Sequence, residues 1–221
     1  MITLLFAAKG GSGTTTVACA RAIHSPGPSL LVDLAGDSAA MLGLAATSKP
    51  GVVDWLGSNA PAAHLADLVI EAAADLTLLP AHPTDRPVRC SPATVDDERW
   101  ELLLSWMQRW AHDTGGHVVI DAGTTPLPAV FVDGCSRRWI VTRACFLALR
   151  HAGRGDHRPT DVILIEEPGR ALRERDVELS TGAKVIVRVA WDPKVARAVD
   201  AGLLETRRLP RALRRDLARA A

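Results

Sequence analysis

Between a short apolar run at residues 2–7 and an uninterrupted helix-forming stretch at 15–23, the chain places Lys9-Gly10-Gly11-Ser12-Gly13-Thr14-Thr15-Thr16. Nothing else in the sequence narrows the fold as far. A strand, a glycine loop and a helix in that order let backbone N–H groups meet at an anion. The helix N-terminus adds about half a positive charge at the same point. Three glycines within four positions exceed what a plain strand-to-helix turn requires. In the general phosphate-loop pattern a lysine serves the β- and γ-phosphates and a hydroxyl serves Mg²⁺. Thr15 supplies the hydroxyl, whereas Thr14 stands where the lysine belongs and carries no charge.

Apolar runs of strand type recur at 29–32, 76–79, 117–120, 139–142, 162–165 and 184–189, separated mostly by helix-like stretches. Alternation of this kind predicts a mostly parallel sheet, and near-continuous apolar strands predict helices on both of its faces. The expected architecture is therefore three-layered α/β/α. The clearest amphipathic helix is at 96–113, where Trp100, Leu103, Met107 and Trp110 recur at three- and four-residue steps. The Pro-rich stretch 80–92 and the segment 150–159 read as surface loops rather than linkers. At 221 residues and 48% hydrophobic content, one sizeable core over 1–221 is expected, not two domains.

The N-terminal apolar run is too short for a secretory signal, and no stretch is long enough to span a membrane, so a cytoplasmic location is expected. Cys19, Cys90, Cys135 and Cys145 show no C-x-x-C spacing and are expected reduced, and the seven histidines form no metal pattern. Charge is uneven. Six arginines against Asp216 make the last fifteen residues +5, and a net charge of +1 leaves about −4 to the remainder. Leu209, Leu213 and Leu217 recur every four residues there, predicting a basic amphipathic helix at about 209–220. Such a helix packs on the body, or meets non-specific DNA or an anionic membrane surface. Three leucines bury too little apolar area for firm membrane attachment alone.

A lysine directly before Gly-Gly-x-Gly resembles the deviant Walker A loop of the ParA/MinD family of P-loop ATPases. Typical members carry Lys-Gly-Gly-x-Gly-Lys-Thr-[Ser/Thr]. The resemblance implies that Lys9 reaches across a nucleotide-sandwich dimer, that residues Gly10, Gly11, Ser12, Gly13, Thr14, Thr15 and Thr16 cradle ATP, and that Thr15 binds Mg²⁺. Other stretches extend it over nearly the whole chain. His117-Val118-Val119-Ile120-Asp121 is similar to a Walker B strand, with Asp121 reaching the metal through a water. Residues 76–80 are similar to the central strand that ends in proline. Val189-Ala190-Trp191-Asp192-Pro193 is similar to the loop flanking the base, which makes Pro193 a nucleotide contact. Residues 30–33 end in Asp33, the first aspartate of the family's switch segment. Read from the residues alone, the alternative for Asp33 is a strand-end carboxylate capping a turn.

Where typical members carry the third switch aspartate, which positions the attacking water, this chain has Ala35. Asp37 is the substitute two residues on. In-line hydrolysis depends on positioning and charge stabilisation, so weak or absent ATPase activity is expected. The base site is also altered, with Glu166-Glu167 where an asparagine is common. Nitrogenase iron protein shares the loop type, but the surroundings of Cys90 and Cys135 do not match its cluster ligands. The resemblance implies an ATP- and Mg²⁺-binding homodimer that positions or partitions a cargo through a protein partner. The alternative is a non-hydrolysing scaffold of the TadZ/CpaE type. A small-molecule kinase or synthetase of the same superfamily would need a substrate motif the chain does not offer.

Overall fold

The computed structural model describes residues 1–45, 48–82, 92–155 and 157–204, together with Leu213, Arg215 and Leu217. The chain opens with β1 (Ile2–Phe6), α1 (Thr14–Ile23), β2 (Ser29–Asp33), α2 (Ser38–Met41) and α3 (Val52–Leu56). It continues through α4 (Leu65–Leu68), β3 (Ile70–Ala73), β4 (Leu76–Leu79), α5 (Asp97–Thr114), β5 (His117–Asp121) and α6 (Ala129–Asp133). The last part holds β6 (Arg137–Arg143), α7 (Phe146–Ala152), β7 (Asp161–Glu166), α8 (Glu174–Thr181), β8 (Lys184–Ala190) and α9 (Pro193–Asp200).

The strands form one sheet in the order β3-β4-β2-β5-β1-β6-β7-β8. Every pairing is parallel except β3 with β4. The seven strands expected from the sequence are all present. β3 is an addition: Glu71, Ala72 and Ala73 are helix formers, but a tight reversal at residues 74–75 folds them back onto β4, and pairing overrides propensity.

Successive side chains along the central strands go to opposite faces. Leu4, Leu30, Val118 and Ile120 pack with Trp100, Leu103 and Phe131 of α5 and α6 on one face. Beyond them on that face, Ile140, Val162 and Leu164 meet Leu149 and Val177 of α7 and α8. Leu5, Leu31, Val119, Trp139 and Ile163 pack on the other face against Val17, Ala18 and Ala20 of α1. Helices on both faces complete the three layers.

Helix α5 follows its predicted period closely. Trp100, Leu103 and Met107 are buried, Trp106 joins them, and Trp110 is only partly covered. Leu213 and Leu217 are almost fully buried in the layer that holds α1, and Leu209 lies outside the described residues.

Candidate nucleotide-binding site

With β1 between β5 and β6, the glycine loop rises from the middle of the sheet's carboxyl edge, where parallel α/β sheets bind ligands. Gly11 and Gly13 hold φ of +75° and +91°, a region that side chains rarely adopt. Gly13 is the residue that leads into α1. Ser12 Oγ donates to the Lys9 carbonyl at 2.7 Å and ties the loop to itself. Among the described residues, no carbonyl or side chain accepts a hydrogen bond of good geometry from the backbone N–H groups of Gly10 through Thr16. These residues line a cavity of about 380 Å³, shared with Ala35, Asp37, Met41, residues 123–125 and Arg143. A run of unpaired donors at a helix start is the arrangement that receives a polyphosphate.

Two buried carboxylates lie behind this cavity. Asp33 and Asp121 end adjacent parallel strands and are paired in register. Asp33 Oδ1 accepts from the N–H groups of Ala35 at 2.9 Å and Gly36 at 2.7 Å, and Oδ2 accepts from Ser38 at 3.0 Å. Asp33 therefore caps the turn after β2, the second of its two readings, and both its oxygens are taken. Burial raises its pKa, the three N–H groups work against that, and Asp37 adds a smaller upward push.

Asp121 has one bond, accepted by Oδ1 from Gly123 N–H at 3.1 Å. Its Oδ2 is buried without a hydrogen bond of good geometry. Burial, then the neighbouring Asp33, push the Asp121 carboxyl up to about 7, partly offset by the nearby Thr15 hydroxyl and the Gly123 amide. A hard cation beside Thr15 would satisfy that oxygen, directly or through a water, and reverse the charge balance that raises the pKa. The donor set, a threonine hydroxyl and a carboxylate, is oxygen only and so suits Mg²⁺. Among the described residues no cluster of three or more His, Cys, Asp or Glu offers a competing metal site.

The loops after β2 and β5 are packed against each other. Leu34 N–H donates to the Asp121 carbonyl at 2.8 Å, Thr125 Oγ1 to the Leu34 carbonyl at 3.2 Å, and a Cβ on Gly123 would stand 3.0 Å from that of Ala35. Ala35 and Asp37 are both exposed on the cavity wall. The only side-chain oxygens of the switch segment there belong to Asp37.

A second, more apolar cavity of about 220 Å³ adjoins the first and shares Ser12, Gly13, Thr16 and Arg143 with it. Its outer wall includes Val189, Trp191, Asp192 and Val195. Pro193 starts α9 just behind this wall, with Asp192 Oδ1 accepting from Lys194 N–H at 2.8 Å. Pro193 thus shapes the turn, and its neighbours form the surface.

The structure brings Lys9, the glycine loop, Asp37 and Thr15 to one cavity and sets Asp121 behind it. The sequence gives no role to Arg143 and places Trp191 only within the segment similar to the loop flanking the base. Residues 140–142 resemble the family's strand after the second switch, but only strand order reveals that the next residue, Arg143, lines the cavity beside the loop. Cys19, Cys135 and Cys145 are free thiols, and Cys90 lies outside the described residues. No helix among the described residues is long and apolar enough to cross a membrane.

Neither a family model nor a curated protein sequence matches the chain. Solved structures do. The cell division protein MinD in its complex with MinC from Aquifex aeolicus is 19% identical, with a TM-score of 0.73 over 99% of this chain and 94% of that one. A ParA-family ATPase from Chlorobium tepidum TLS is 18% identical, with a TM-score of 0.71 over 97% of this chain and 95% of that one. The septum site-determining protein MinD from Pyrococcus horikoshii OT3, complexed with Mg-ADP, is 15% identical, with a TM-score of 0.69 over 99% and 94%. The chain has the fold of the MinD and ParA P-loop ATPases.

Proposed function

We propose that the chain is a MinD/ParA-like switch. It binds ATP with Mg²⁺, pairs with a second copy around two nucleotides, and presents a surface to a partner or cargo only when paired. The observation that carries this reading is the run of unpaired N–H groups from Gly10 to Thr16 facing a cavity backed by the orphaned Asp121 Oδ2. The Mg-ADP complex of the archaeal MinD supports the choice of ligand. The MinC complex supports a protein partner.

Each residue then has a role. The loop amides hold the phosphates, Thr15 and Asp121 hold the metal, and the apolar second cavity takes the nucleoside. Mg²⁺, when bound, neutralises phosphate charge. Lys9 is exposed, and among the described residues its Nζ meets only the adjoining Gly10 carbonyl, at 3.4 Å. It is free to reach the phosphates of a paired subunit. A ligand that binds the paired state more tightly shifts the equilibrium toward it; full reversal of a 1:99 preference takes about 5.5 kcal/mol.

Turnover is slow in this reading, because Thr14 brings no charge and Ala35 no carboxylate to the cavity. Asp37 is the remaining residue able to orient water. The same two substitutions favour a second reading, a non-hydrolysing scaffold of the same fold. The burial of Leu213 and Leu217 favours docking of the terminal helix on the body over membrane insertion. In this reading residues 1–221 work as one cytoplasmic domain.

Light scattering with and without ATP and Mg²⁺ tests the switch. Nucleotide is expected to double the mass, and Lys9→Ala to abolish that response while leaving nucleotide binding in place. A mass that ignores nucleotide, or a Lys9→Ala protein that pairs normally, contradicts it. Phosphate release that Asp37→Ala removes would identify an ATPase; binding without release would identify the scaffold.

A further inference from the structure

Thr14 brings no cation to the cavity, and among the described residues the ionisable side chains on its wall are Lys9, Asp37 and Arg143. Arg143 is the last residue of β6 and lines both cavities, beside Ser12 and Gly13. It is the only cation on the described wall of the second cavity. Its place is therefore where a polyphosphate leaves the loop and the nucleoside begins. Guanidinium remains charged at any working pH and offers five N–H donors in a planar fork suited to phosphate oxygens.

The side chain is held in that place from one side only. Nη1 donates to Glu167 Oε1 at 2.6 Å, and Arg170 grips the other oxygen of the same carboxylate. Glu167 is thus shared between two arginines, so it anchors Arg143 without cancelling the charge of the cluster. Arg143 Nε is buried with no hydrogen-bond partner, and the guanidinium has no other acceptor among the described residues. A buried, unsatisfied donor beside a polar cavity is costly until a ligand or water engages the group.

We infer that Arg143 is a nucleotide-contacting residue. It supplies within one subunit the positive charge lost at Thr14, and it acts on the phosphates nearest the nucleoside. The inference rests on the nucleotide reading above and assigns the charge compensation to a residue no motif marks. It also separates two roles: Arg143 serves binding by a single subunit, and Lys9 serves pairing.

Calorimetric titration of the full chain with ATP, ADP and adenosine, with Mg²⁺ present, tests it. Arg143→Ala is expected to weaken ATP and ADP about 10- to 100-fold while adenosine affinity stays unchanged. Arg143→Lys should recover part of the loss, having charge without the fork. Arg170→Ala removes the second arginine on Glu167, away from both cavities, and should leave ATP affinity within about threefold. Thermal melts without ligand establish that each variant is folded.

The inference is overturned if Arg143→Ala binds ATP like the parent, if adenosine weakens equally, or if Arg170→Ala loses as much as Arg143→Ala. In all three cases the nucleotide reading stands. If the parent itself binds neither ATP nor ADP at millimolar concentration, the reading and the inference fall together.

Discussion

The ends of β2 and β5 form a natural experiment. Both strands are apolar runs that finish in a fully buried aspartate, and the two aspartates face each other across one register pair. At Asp33 the chain turns back so tightly that three amides close on the carboxylate. At Asp121 a single amide does so, and one oxygen is left over. The same sequence pattern therefore yields a carboxylate with both oxygens taken in one place and one with an oxygen left unpartnered in the other. What separates them is how many N–H groups the following loop commits before any ligand arrives.

The sharpest way to break this comparison is to remove each carboxylate. Asp33→Ala abandons three amide donors, that of Ser38 fully buried, and is expected to cost about 2–4 kcal/mol in denaturant unfolding. Asp121→Asn should instead leave the ligand-free protein as stable as the parent or more so near neutral pH, since it discharges a poorly compensated group. Equal losses at the two sites would erase the distinction. The second effect is on binding: Asp121→Asn should reduce the Mg²⁺-dependent gain in ATP affinity about tenfold, measured by titration with and without the metal. ATP affinity that responds to Mg²⁺ as before would remove Asp121 from the metal site.

The smallest effect concerns pH. Asp121 is held at about 7, above the ordinary value of 3.8. Between those limits the native state binds the proton more readily than the unfolded chain, so this group adds stability as pH falls through 7 and withdraws it as pH rises. The melting temperature of the ligand-free parent should accordingly approach that of Asp121→Asn as pH drops from about 8 to about 5. A gap that is constant with pH would show that Asp121 keeps an ordinary pKa.

Much of the fold was legible because its determinants are local. The apolar runs and the three-residue and four-residue steps of α5 need no knowledge of neighbours, and the loop glycines announce their positive φ directly. β3 escaped because only its pairing with β4 makes Glu71-Ala72-Ala73 extended. The placement of three candidate residues was legible too: Thr15 and Asp37 line the cavity and Asp121 lies buried beside Asp33. The sequence was ambiguous at Asp33, where it allowed either a ligand contact or a turn cap and only the closing of the loop decides. It was silent at Arg143, whose place on both cavity walls comes from β6 lying beside β1 in a sheet whose order is not written in the chain. Pro193 belongs to the segment that borders the second cavity, but Trp191 and Val195 rather than Pro193 form its wall.

The account depends most on a triphosphate being held by the amides of Gly10 to Thr16 despite the threonine at position 14. A crystal structure of the protein grown with a non-hydrolysable ATP analogue and Mg²⁺ tests this directly. The account predicts phosphate oxygens against those amides, the metal between Thr15 and Asp121, and the nucleoside beside Trp191. Crystals grown in millimolar analogue whose loop binds no phosphate would contradict it.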